Sequence, residues 1–182
     1  MKSTVGLAVA ALVFVAQAAG AQETQRKDLQ VFNDISNSVN HYAYFTIFDD
    51  VSANVDNGVV TLTGKVTQPY KRDDLVKRIA KVDGVTRVVD QVTVLPLSKF
   101  DDQIRFRVAR AIYGNANFWN YAIMASPPIH IVVENGRVTL TGVVQSEVDK
   151  MLARSLAAQP GVMSVTNNLK TDAEVREELE KS

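Results

Sequence analysis

Asn57-Gly58-Val59-Val60-Thr61-Leu62-Thr63-Gly64 recurs farther along the chain as Asn135-Gly136-Arg137-Val138-Thr139-Leu140-Thr141-Gly142. Downstream, Asp83-Gly84-Val85-Thr86-Arg87-Val88 is answered at nearly the same spacing by Pro160-Gly161-Val162-Met163-Ser164-Val165. Such self-similarity means one supersecondary unit used twice. Asn-Gly suits a two-residue hairpin turn, because type I′ needs positive φ at both central positions. Val51, Ala53 and Val55 alternate before the first turn; Val60, Leu62 and Val66 alternate after it. Ile129, Ile131 and Val133, then Val138, Leu140 and Val144, repeat the arrangement. Period two on both arms predicts hairpins with one buried face. Gly64 and Gly142 interrupt the second arm at matching positions, as at a bulge or a close backbone approach. A crossing helix is the expected neighbour.

Working outward, Pro69 opens a predicted helix with Leu75, Ile79 and Val82 at helical spacing and Gly84 as its C′ residue. In the second copy Ser146 and Asp149 resemble a capping box. Val148, Leu152 and Leu156 form the stripe there, and Gly161 ends it. Third strands are predicted over 85–94 and 162–169. A further helix precedes each hairpin, with stripes Leu29, Phe32, Ile35, Val39 and Ile104, Val108, Ala111, Ile112. The fold class is therefore α+β: two tandem αββαβ modules, each a three-stranded sheet packed against two helices. Module boundaries fall at 26–96 and 98–170. Leu95-Pro96-Leu97-Ser98 between them is so short a linker that the copies should sit against each other. Residues 171–182 form an acidic tail, expected as a short solvated helix. Its Glu174, Glu177, Glu178 and Glu180 disfavour contact with anionic lipid.

Of the 182 residues, 46% are hydrophobic and 22% charged, a composition that folds. A formal net charge of zero argues against a nucleic-acid partner, which needs surplus Lys and Arg. Without cysteine there can be no disulfide, thiolate metal site or thiol nucleophile. Lys2, the apolar run from Val5 to Val15 and Ala19-Gly20-Ala21 follow the order of a cleavable signal peptide over 1–21. That run falls short of the roughly twenty apolar residues that cross a bilayer, so no transmembrane segment is expected in the mature chain. No Cys follows it to carry lipid, so the reading is export without lipoprotein anchoring.

The paired Asn-Gly-x-Val-Thr-Leu-Thr-Gly segments and the later Gly-Val-x-x-Val segments resemble the BON family, named for osmotically induced periplasmic and nodulation-related proteins. The resemblance covers both copies. It implies an αββαβ fold and a non-enzymatic binding role at the cell envelope, associated with osmotic protection and phospholipid contact. It also implies a periplasmic location. No shared catalytic set transfers onto residues of this chain, and Gly58, Gly64, Gly136 and Gly142 read as structural.

No catalytic residue, cofactor site or metal site is expected. Nucleophile elbow, P-loop, dinucleotide fingerprint and H-E-x-x-H are all missing. His41 and His130 lack an evident acid-base partner. Asp49-Asp50, Asp73-Asp74 and Asp101-Asp102 read as helix-start charges and solvated loops, since neighbouring residues point apart. A calcium site at Asp49-Asp50 lacks the ligand spacing of a known loop. The candidate lipid or partner contact is the front of the second copy: Arg105, Arg107, Arg110, Tyr113, Phe118, Trp119 and Tyr121. Rings beside basic residues fit anionic phospholipid headgroups or an envelope protein. Equally, Phe118, Trp119 and Tyr121 fit the gap between the two copies. Tyr42, Tyr44, Phe45 and Phe48 form a matching cluster in the first copy. Function follows as envelope maintenance or stress protection; the alternative is a chaperone-like or assembly factor that binds protein clients without lipid affinity.

Overall fold

The computed structural model describes residues 27–181; the predicted leader, residues 1–21, lies outside the described residues. Module 1 comprises α1 (residues 27–40), β1 (Asp50–Asp56), β2 (Val59–Val66), α2 (Pro69–Ile79) and β3 (Arg87–Val94). Module 2 comprises α3 (Lys99–Tyr113), a 3₁₀ turn (Ala116–Phe118), α4 (Trp119–Ala122), β4 (Ile129–Glu134), β5 (Arg137–Val144), α5 (Glu147–Ala157) and β6 (Ser164–Thr171). The acidic tail forms α6 (Asp172–Lys181). The predicted α+β class and its tandem αββαβ order are what the structure contains.

Each sheet has three strands, ordered β1-β2-β3 and β4-β5-β6. The first pair is an antiparallel hairpin, and the second is parallel through the crossover helix. Asn57 and Asn135 both take φ 51, with Gly58 and Gly136 at φ 74 and 73, as a type I′ turn requires. Val60, Leu62 and Val66 on β2 are fully buried with Leu75 and Ile79 from α2. Val138, Leu140, Ile129, Ile131 and Val133 do the same beneath Ile104, Val108 and Ile112 of α3. Pro69 occupies the first turn of α2, while Ser98 and Ser146 cap α3 and α5, accepting from the amides of Asp101 and Asp149.

Four local expectations change. The second helices stop at Ile79 and Ala157, so Gly84 and Gly161, at φ 87 and 88, belong to the turns entering β3 and β6. Gly64 and Gly142 do not face a helix. A Cβ on Gly64 would lie 2.1 Å from the Asp50 carbonyl oxygen, and one on Gly142 would lie 1.8 Å from that of Pro128. The close approach is between the two chains of the hairpin itself. In α1 the buried stripe is Val31 and Ile35, whereas Leu29 and Phe32 are exposed. In α5 Val148 is 66% exposed, Leu152 and Leu156 are half-buried, and Ala153 and Ala157 are the fully buried residues.

The modules meet along a seam built by the loop after α1. The Ile131 amide donates to the Ile47 carbonyl at 2.6 Å. Ile47 and Phe48 pack against the core of module 2, and Phe48 meets Phe106 edge-on at 5.3 Å. Lys65 pairs with Glu134 across the same boundary.

Candidate functional site

At the turn end of each module an aspartate from the first helix holds the hairpin. Asp28 accepts from the amides of Asn57 and Gly58 at 2.8 and 3.0 Å. Asp101 accepts from those of Asn135 and Gly136 at 2.9 and 2.8 Å. Asp101 is 1% exposed, so its reading as a solvated helix-start charge does not hold. A carboxylate can satisfy two adjacent turn N–H groups that would otherwise lack partners. The sequence carried a signal for this: Asp28 precedes Val31 and Ile35 as Asp101 precedes Ile104 and Val108.

The opposite end of each module is held by a buried polar cluster. Asp49 is fully buried and accepts from Lys71 Nζ at 2.6 Å, from the Thr46 amide at 2.9 Å and from the Thr67 amide at 2.7 Å. Burial would push its carboxyl up. The hydrogen bonds from Lys71, Thr67 and Thr46 outweigh that and hold it below the usual carboxylate range. The cation at Asp49 is thus Lys71, and the described residues contain no cluster of three or more His, Asp or Glu suited to a metal. In module 2 the Tyr121 hydroxyl takes the corresponding place, accepting from the Gln145 amide at 2.8 Å and donating to Asp149 at 3.0 Å. Tyr42 donates likewise to Asp74 at 2.8 Å. Desolvation and those carboxylates raise the pKa of both phenols.

The front of module 2 divides into buried and exposed groups. Phe118 and Tyr121 lie in the module's own core, and Arg105 is 5% exposed, bonded to the Val133 carbonyl and Asp102. The Tyr113 hydroxyl bridges the backbone of Ile129, with its pKa raised by burial. Arg107 is half-buried against the Pro160 carbonyl. Arg110 and Trp119 are exposed, Trp119 at 64%. The gap between modules is filled instead by Ile47 and Phe48 from the matching loop of module 1. Ile123, whose amide bonds the Trp119 carbonyl one turn back, is also 64% exposed. His130 bonds the Asp49 carbonyl at 2.6 Å beside Phe45, and His41 bonds its own helix at Asn37. Neither meets an acid-base partner. Among the described residues no helix is long and apolar enough to cross a membrane.

The BON domain model matches this chain twice, over residues 44–96 and 100–181. The chain belongs to the BON domain family. It is similar to osmotically-inducible protein Y of Escherichia coli (strain K12), with 34% identity over 125 residues, covering 67% of this chain and 62% of that protein's length. Among solved structures, CdsD, a structural protein of the type III secretion system of Chlamydia trachomatis, aligns over 83% of this chain and 97% of its own. At 14% identity and a TM-score of 0.30 that likeness carries no argument.

Proposed function

We propose that this chain is an exported, non-enzymatic binding protein of the periplasm that supports the cell envelope under stress by contacting phospholipid surfaces through the tip of module 2. The observation that carries the reading is the exposed apolar tip of Trp119 and Ile123 on one helical turn, with Met124 beside them. An indole ring sits well at headgroup depth, where it is half apolar and half hydrated. Exposed Arg110 on α3 is the remaining basic candidate for an anionic phosphate. The predicted leader, the tandem modules and the similarity to an osmotically-inducible protein all support an envelope role. Buried Phe118 and Tyr121 support this tip from the core of module 2, whereas buried Arg105 lies toward the hairpin turn, bonded to Asp102 and the Val133 carbonyl.

The test is co-sedimentation of residues 22–182 with anionic and zwitterionic liposomes at low and physiological salt, beside a Trp119→Ala variant. Salt-sensitive binding to anionic vesicles, lost in the variant, is the expected result. Binding to neither vesicle type removes lipid from the reading and leaves envelope proteins as the partner class.

A further inference from the structure

The turn ends of the two modules share one frame and close it differently. In module 2 the ring of Phe100, the residue before Asp101, lies over both turn glycines. A Cβ on Gly136 would come 3.5 Å from it, and one on Gly161 would come 3.4 Å. Arg107 donates to the Pro160 carbonyl, and its guanidinium lies 3.8 Å from that same Gly161 position. A ring and a cation therefore close the end of module 2, where Asp101 is buried.

Module 1 keeps the frame. Asp28 caps Asn57-Gly58, and Gly58 and Gly84 take φ 74 and 87 where Gly136 and Gly161 take 73 and 88. The closing residues are changed. Lys27 precedes Asp28 where Phe100 precedes Asp101, Asp34 stands where Arg107 stands, and Asp83 precedes Gly84 where Pro160 precedes Gly161. Among the described residues an open cavity of about 530 Å³ stands there instead, lined by Lys27, Val31, Asp34, Gly58, Asp83 and Gly84 among others.

We propose that this cavity binds an aromatic side chain and an adjacent Arg or Lys from a partner polypeptide, the two groups that module 2 supplies to itself. The ring packs on Val31, whose Cγ2 lies 2.6 Å from where a Gly84 Cβ would stand, in the cavity bounded by Gly58 and Gly84. The cation meets the exposed carboxylates of Asp34 and Asp83 at the rim, a charge-assisted contact that selects against acidic neighbours. The volume lies within the usual range for binding pockets, about 300–1,000 Å³. This site is separate from the module 2 tip, and its test does not depend on lipid binding.

Titration of the purified chain with N-acetyl-Phe-Arg-amide, followed at the amide resonances of Asn57, Gly58 and Gly84, tests the assignment. N-acetyl-Phe-Glu-amide and N-acetyl-Ala-Arg-amide serve as controls. Saturable shifts with the first peptide are expected, with affinity roughly tenfold weaker for each control, the equivalent of losing one good contact. Asp34→Asn/Asp83→Asn should weaken the Phe-Arg peptide to the level of the Phe-Glu control. A second variant, Lys27→Phe/Asp34→Arg, builds the module 2 closure into module 1; it should abolish the shifts and raise the thermal midpoint. No shifts with any peptide at millimolar concentration, equal shifts with all of them, or undiminished binding in Lys27→Phe/Asp34→Arg would each overturn the proposal.

Discussion

Asp49 and Lys71 form the kind of buried ion pair whose halves are each damaging when left alone. Both side chains are at least nine-tenths buried, and Asp49 also fixes the amides of Thr46 and Thr67. Asp49→Asn leaves the buried ammonium without a counter-charge, and should lower stability by about 3–5 kcal/mol in urea unfolding at neutral pH. The pH dependence has a definite sign. A carboxyl held below its unfolded value of about 3.9 contributes stability that is fully present above that pH and is lost as pH falls through the folded value. Acid unfolding of the parent should therefore steepen below about pH 4, and Asn at position 49 should flatten that limb. Lys71→Met removes a major lowering hydrogen bond and leaves burial to push the carboxyl up. Its penalty should then be smaller at pH 4 than at pH 7; equal urea midpoint shifts at both values would mean that the charge on Asp49 is not held by Lys71. Module 2 meets the same need with Tyr121 and Asp149, an exchange of an ion pair for a phenol-carboxylate bond.

Among the elements, the hairpins depend on a single missing Cβ. Gly142 stands at φ 114 with the Pro128 carbonyl where a side chain would begin. Gly142→Ala should cost about 1–3 kcal/mol in backbone strain and a similar amount from overpacking, read as a lower thermal midpoint. Thr171 and Glu174 form a reciprocal capping box at the start of α6, each side chain accepting from the other's amide at 3.1 and 2.7 Å. Lys150 draws Glu174 toward α5 at 2.8 Å, holding its carboxyl below the usual range. Thr171→Ala should release the tail helix at a cost of about 1 kcal/mol, visible as faster amide exchange over 174–178 with the module 2 core unchanged. Strand alternation and the Asn-Gly turns made both sheets legible in the sequence, because a buried face at period two leaves few other readings. Helix ends were less legible. Gly84 and Gly161 have the positive φ of a C′ residue, yet the chain first leaves each helix through an extra turn. In α1, Leu29 and Phe32 compete with Val31 and Ile35 for the apolar stripe, and only packing against the sheet decides between them. α3 also carries a second apolar face at Phe106, Ala109 and Tyr113, yet Ile104, Val108 and Ile112 of its expected stripe are fully buried, with Ala111 partly so.

At the scale of the whole molecule, the two modules are joined by more than a linker. The aromatic loop of module 2 was visible as a cluster, but which rings face inward depends on the phase of the 3₁₀ turn that leads into α4. That turn buries Phe118 and Tyr121 and leaves Trp119 outside. The matching loop of module 1 lacks this turn and reaches across instead, placing Ile47 and Phe48 on the core of module 2 and lending a carbonyl to the free edge of β4. An edge strand covered in this way is protected from pairing with other chains. Phe48→Ala removes a half-buried ring and its edge-on contact with Phe106. Full burial would make such a loss about 3–5 kcal/mol, so about 2 kcal/mol is expected here. The loss should fall on module 2 although the substitution lies in module 1. Hydrogen exchange distinguishes the cases: the Ile131 amide, and the Val132 amide paired with β5, should exchange faster in the variant, while Leu62 in β2 keeps its protection. Faster exchange confined to β2 would instead assign Phe48 to its own module's core. Exchange quickened equally in both sheets would make the two modules one cooperative unit, with the seam as strong as either core.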